Sequence, residues 1–159
     1  MRMVQIPEIT GKLFLAGMPG RYASLENDFR AVHEHGVDAI ISLTSLDEIE
    51  SKSPGYFAAI REGRLPCPRR EYPIEDFGTP ADLNEFLGFV STAAQDLREG
   101  RNLLVHCGAG IGRTGMFAAS LLVALGLPLD EAFRRVEEAG SGPETVAQRE
   151  VVKRAAQVR

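Results

Sequence analysis

Short apolar runs alternate with longer amphipathic stretches along this chain of 159 residues. Residues 12–15 (Lys-Leu-Phe-Leu), 38–43 (Asp-Ala-Ile-Ile-Ser-Leu) and 103–106 (Leu-Leu-Val-His) are too short for helices and read as strands. Arg70-Glu-Tyr72 reads as a fourth strand. Residues 24–35 predict a helix ending at Gly36, and residues 81–99 predict a long amphipathic helix closed by Gly100. The longest apolar run, 116–125, falls in a helix predicted near 112–126 and stopped by Gly126 and Pro128; it is too short to span a bilayer. Helices over 129–139 and 144–157 complete the chain.

Strand and helix therefore alternate, which predicts a single α/β domain over 1–159 with a central, mainly parallel sheet of four to five strands and helices on both faces. A loop leaving the carboxyl end of a strand is where such sheets bind ligands. Here the loop after 103–106 joins a strand to a helix, and residues 106–115 read His-Cys-Gly-Ala-Gly-Ile-Gly-Arg-Thr-Gly.

That decapeptide places a thiol, a cation and a glycine-rich backbone within reach of one anion. A helix N-terminus offers unpaired N–H groups and the positive end of the macrodipole. Glycines at 108, 110 and 112 permit close approach of a phosphate, and the planar guanidinium of Arg113 can grip two of its oxygens. Cys107 stands at the entrance, where the same field favours a thiolate. An ordinary thiol of pKa about 8.5 is only slightly ionised at neutral pH, so full ionisation gains roughly thirty-fold, about 2 kcal/mol. Part of that is lost because a less basic thiolate is a weaker nucleophile. The larger share of any rate is expected from loop amides and Arg113 holding the phosphoryl oxygens.

Two other uses of the loop are open at this level. Gly110-Ile-Gly-Arg-Thr-Gly115 also fits a dinucleotide fingerprint, with Asp130 downstream, but the all-helical tail lacks the strand such a unit needs. A cysteine in a strand-to-helix turn can also be a small hydrophobe.

The pattern His-Cys-x5-Arg-Thr resembles the signature of the cysteine-dependent protein phosphatases, the tyrosine and dual-specificity superfamily. The likeness extends from Leu13-Phe-Leu-Ala-Gly-Met-Pro19 to Gly142-Pro-Glu-Thr-Val-Ala-Gln148 and is greatest to the cyclin-dependent kinase inhibitor 3 type. It implies a protein tyrosine phosphatase-like fold and hydrolysis of phosphotyrosine, with phosphoserine or phosphothreonine as further substrates, through a phosphocysteine. Cys107 would be the nucleophile and Arg113 the phosphate clamp, with Gly108, Ala109, Gly110, Ile111 and Gly112 cradling the phosphate. Thr114 would stabilise the thiolate, His106 would orient the loop, and Gln148 would position the water of the second step. Neither a metal nor another cofactor is implied.

The leaving group needs a proton, and a positioned carboxylic acid must come from elsewhere in the chain. Tyr72-Pro-Ile-Glu-Asp-Phe-Gly-Thr-Pro80 is rich in turn residues, and Asp76-Phe-Gly-x-Pro resembles the tail of the family's mobile acid loop. Asp76 is thus the expected acid and Glu75 its neighbouring alternative; Asp82 reads as a first-turn residue of the next helix. Ile74-Glu75 replace the Trp-Pro of the tyrosine-specific branch, which favours the dual-specificity type and a shallower pocket. Arg21, Tyr22 and Arg69 are expected at its rim. A lysine-free loop interior disfavours phosphoinositides, the runner-up substrates; a silent phosphoprotein-binding module is the other alternative.

Composition adds boundaries. Hydrophobic content of 44% and charged content of 25% fit one globular domain, and a net charge of −4 argues against general nucleic-acid binding. The partner expected is a phosphoprotein or phosphopeptide, without membrane insertion, and a monomer is favoured. The N-terminus lacks the pattern of a signal peptide. Cys67 and Cys107 could form only one bridge, which would disable the nucleophile, so a reducing cytoplasm is the expected setting and Cys67 a structural residue. A reversible bridge between the two is the minor alternative.

Overall fold

The computed structural model describes residues 1–158. Five strands, β1 (Arg2–Val4), β2 (Leu13–Ala16), β3 (Ala39–Ser42), β4 (Arg69–Glu71) and β5 (Leu103–His106), form one sheet in the order β1-β2-β5-β3-β4. All pairs are parallel except β1 with β2. The central strand β5 sets the position of the site: Ala16 of β2 and Ser42 of β3 both lie opposite His106. The loop after His106 therefore leaves from the middle of the sheet's carboxyl edge.

Strand side chains alternate between faces, and the burial follows that period of two. Leu13, Leu15, Ala39, Ile41, Leu103 and Val105 enter the main core, while Phe14, Ile40 and Leu104 pack with Val32 and Val37 on the other face. Helix α1 (Leu25–Glu34) contributes Val32 to that second face. The main core is closed by α4 (Leu83–Arg98), α5 (Gly112–Ala124), α6 (Leu129–Glu138) and α7 (Val146–Gln157). Helix α5 is buried along nearly its whole length, which is why its sequence is apolar all round rather than striped.

The α/β architecture and mainly parallel sheet agree with the sequence reading, and element boundaries move by one or two residues. Three elements escape it. Strand β1 is only three residues long and leaves no alternation to detect. Helices α2 (Leu46–Lys52) and α3 (Pro54–Arg61) are short and back to back. Their local signals are Ser45, whose hydroxyl caps the Glu48 N–H, and Pro54 in the first turn of α3. Asp82 is the N-cap of α4 rather than a first-turn residue, with its carboxylate accepting from Glu85 N. Among the described residues no helix is long and apolar enough to cross a membrane.

Candidate active site

The turn from β5 into α5 bends the chain around one point. Sγ of the buried Cys107 accepts a hydrogen bond from Gly110 N at 3.3 Å. Helices α1, α2, α4 and α7 are each capped by a side chain, from Ser24, Ser45, Asp82 and Thr145 respectively, whereas α5, like α3 and α6, has no side-chain cap. What sets α5 apart is that its uncapped N-terminus faces the Cys107 thiol, where its first N–H groups suit an anion. Gly110 has φ +77°, and a Cβ there would lie 2.4 Å from the Ala16 backbone, so neither its conformation nor its space admits a side chain.

The same residue is locked through its carbonyl. Gly110 O accepts from Arg2 Nη2 at 2.7 Å and from Ser141 Oγ at 2.6 Å, which fixes the direction of the following peptide N–H. Arg2 Nη1 also donates to the carbonyls of Ala139 and Gly140, tying β1 and the α6–α7 connection to the loop. Burial pulls Arg2 below its ordinary pKa and the charge of Cys107 opposes that pull. No motif announces Arg2, because its role arises from the antiparallel docking of β1.

Arg113 stands in the first turn of α5 and is only 2% exposed. Its Nη1 and Nη2 donate to Glu48 Oε1 and Oε2 at 2.8 and 2.9 Å, and Nη1 also reaches Ile74 O at 2.8 Å. Burial acts to lower the pKa of Arg113, yet the hydrogen bonds from Glu48 and the charges of Cys107, Glu48 and Asp76 outweigh it and raise it. Burial acts to raise Glu48, but hydrogen bonds from Arg113 and Lys52 prevail and hold it at about 2. Glu48 is a site residue that sequence reasoning missed; the Ser45-x-x-Glu48 capping pattern was the signal available for its helix.

Asp76 lies on a turn closed by Gly78 N donating to Glu75 O at 2.8 Å. Its Oδ1 accepts from Phe77 N at 3.1 Å and stands 3.3 Å from Arg113 Nη2. The 75–78 turn and the loop that opens α5 therefore meet at one guanidinium. A cleft of about 270 Å³ lined by Ser45, Glu48, Pro73, Ile74, Glu75 and Asp76 adjoins them.

His106 is fully buried, and its Nδ1 lies 3.1 Å from Cys107 O and its Nε2 2.9 Å from Tyr56 Oη. A carbonyl only accepts, so Nδ1 carries the proton and Tyr56 donates to Nε2. Desolvation lowers His106 to about 4 and raises Tyr56 to about 12, so both keep these forms at neutral pH. Arg69 donates to Ser42 Oγ and Glu71 and lies in the field of both rings beneath the loop; it is not a rim residue, contrary to the expectation. Arg21 does approach the loop: a Cβ on Gly108 would meet its Nη1 at 3.1 Å, and its guanidinium stacks on Tyr22 at 4.9 Å.

Two expected contacts differ. Thr114 Oγ1 is buried and makes no hydrogen bond, so its bond to the thiol is not formed. Gln148 lies neither on an exposed helix face nor free toward the loop; it is 0% exposed, with Oε1 accepting from Glu144 N and Nε2 donating to Gly78 O. The two thiols are unbridged and separated by the sheet, since Cys67 packs with Phe14, Ile40 and Leu104 while Cys107 belongs to the opposite core.

A thiol in an anion nest, a clamped arginine and a carboxylate on a facing turn define the cysteine-dependent phosphatase class. Residues 15–127 match the family described as "Polymorphic toxin system, DSP-PTPase phosphatase", and the chain belongs to that family. Tyrosine-protein phosphatase 2 of Dictyostelium discoideum is 50% identical over 44 residues, 28% of this chain but only 11% of that protein. A kinase-associated phosphatase with serine at its catalytic cysteine shares the fold, with a TM-score of 0.80 and 18% identity over 99% of this chain and 96% of its own. Tk-PTP in its active form gives 0.68 and 26% identity, covering 98% and 97%.

Proposed function

We propose that this domain hydrolyses phosphotyrosine in proteins or peptides, and phosphoserine or phosphothreonine more weakly, through a phosphocysteine. The observation that carries the reading is the convergence of Cys107, Arg113 and Asp76 on one nest, with Arg113 held by Glu48 and 3.3 Å from Asp76. In the first step Cys107 Sγ attacks phosphorus, an S–P bond forms and the ester P–O bond breaks. Asp76 gives its proton to the departing oxygen. Arg113 and the N–H groups of 108–113 hold the three equatorial oxygens as charge spreads over them.

In the second step water attacks phosphorus and passes a proton to the Asp76 carboxylate. The S–P bond breaks, releasing inorganic phosphate and the thiolate. Thr114, whose hydroxyl is uncommitted among the described residues, is assigned to stabilise that thiolate, and neutral His106 to fix the Cys107 carbonyl. No redox partner enters either step. A nucleophile that must remain a free thiol suits a reducing cytoplasm. The test compares phosphotyrosine, phosphoserine and phosphothreonine peptides with phosphoinositides, using wild type and Cys107→Ser. Phosphotyrosine should be preferred and the variant inactive; a strong preference for the lipids would overturn the substrate assignment.

A further inference from the structure

The turn that carries Asp76 is strained, and a buried side chain from another element holds it. Phe77 occupies its third position with φ +60°, the only positive value outside glycine among the described residues. Glycine is the residue suited to such a corner, and a bulky side chain there is held only when its surroundings over-determine it. Phe77 gains little from burial, being 60% exposed. The constraint comes instead through the next residue: Gln148 Nε2 donates to Gly78 O at 3.1 Å.

The other end of the same carboxamide is also committed. Gln148 Oε1 accepts from Glu144 N at 2.8 Å, and the Glu144 side chain lies against the phosphate loop, where a Cβ on Gly112 would meet its Oε1 at 2.1 Å. Residues 144–148 thus connect the acid turn to the phosphate loop. Each polar end of Gln148 is thus engaged by backbone, one N–H by Gly78 O and one lone pair by Glu144 N.

We propose that Gln148 is a positioning residue for the acid: through Gly78 O it holds the strained 75–78 turn with Asp76 over Arg113. The catalytic consequence rests on the phosphatase reading above, whereas the clamp itself does not. Gln148→Glu removes the donor to Gly78 O and keeps an acceptor for Glu144 N. Gln148→Met, which keeps the buried volume and removes both arms, serves where the added charge disturbs folding.

Hydrogen–deuterium exchange over 75–80 should rise in either variant while exchange in β5 and α5 stays unchanged; unaltered exchange over 75–80 overturns the clamp whatever the activity. Aryl phosphates graded by leaving-group basicity supply the catalytic readout. The most basic leaving groups should lose on the order of tenfold in rate, the loss expected for one buried hydrogen bond, and the least basic almost nothing. These rates are those of the first step, read as phenol released in a single turnover, because Asp76 also serves the second step; a uniform first-step loss across the series would contradict the proposal. If Asp76→Asn shows the graded loss and the Gln148 variants do not, the positioning role fails and the phosphatase reading stands.

Discussion

Both terminal nitrogens of Arg113 donate to the carboxylate of Glu48, at 2.8 and 2.9 Å. This paired geometry fixes the plane of the guanidinium before any substrate arrives. The buried Nε has no acceptor among the described residues, so this donor is left for a phosphate oxygen. Glu48→Gln keeps the volume but removes the charge and one acceptor, and should lower kcat/KM by roughly 10- to 100-fold, the value of about 1.5–3 kcal/mol for a hydrogen bond to a charged group. Steady-state kinetics on an aryl phosphate checks it.

Acid should weaken the fold through His106. Free in the unfolded chain it titrates near 6.5, whereas burial lowers it to about 4 in the folded protein. Between those values the unfolded state binds the extra proton, so stability is full above about pH 6.5 and falls as pH falls toward 4. From about pH 7 to about pH 5 the loss should be about 2 kcal/mol. Glu48, held at about 2 from an ordinary 4.5, adds a further loss as pH falls below 4.5 toward 2. Urea midpoints at the two higher pH values measure the first effect, and His106→Gln should flatten it.

How the chain folds was legible where periodicity was long, and the candidate site was legible where its residues are contiguous. The alternation of 12–15, 38–43 and 103–106 with helices led to the sheet, and one decapeptide contained the candidate nucleophile, cradle and clamp. What stayed hidden depends on contacts across the chain. Arg2 reaches Gly110 over 108 positions, and Glu48 reaches Arg113 over 65; neither pairing leaves a local pattern. Gln148 was singled out by sequence, but its burial against Gly78 O follows from the docking of α7 on the 75–78 turn. Arg69 was misplaced because strand parity, which turns it beneath the loop toward Ser42, is weakly written in a three-residue strand.

Oxidation should not involve a bridge between the two cysteines. They lie in cores on opposite faces of the sheet, and burial, followed by the charge of Asp38, raises Cys67 to about 11, leaving it a poor nucleophile at neutral pH. Cys67→Ser should therefore lose activity to peroxide, and regain it with thiol, to the same extent as wild type. A variant that becomes irreversibly inactivated would mean that the fold opens far enough for Cys67 to protect Cys107.

The Gly110 carbonyl offers a test of preorganisation away from the reacting atoms. Arg2→Ala removes one of its two side-chain donors while Ser141 retains the other. The expected result is a loss of about tenfold in kcat/KM, the effect of one weakened charge-assisted hydrogen bond. Ser141→Ala alone should cost less, because the bond from Arg2 carries charge. Combining the two should cost more than the sum, since the peptide then loses all side-chain support.

Covalent capture of the phosphoenzyme tests the central claim most directly. Wild type and the Cys107→Ser, Asp76→Asn and Arg113→Lys variants are mixed rapidly with an aryl phosphate, quenched in acid and weighed intact, with the modified peptide then sequenced. One phosphoryl group on Cys107 of wild type, its absence in Cys107→Ser, and its slower formation in the other two is the predicted outcome. Turnover in wild type with no phosphoryl group on Cys107, or equal turnover in Cys107→Ser, would contradict the account.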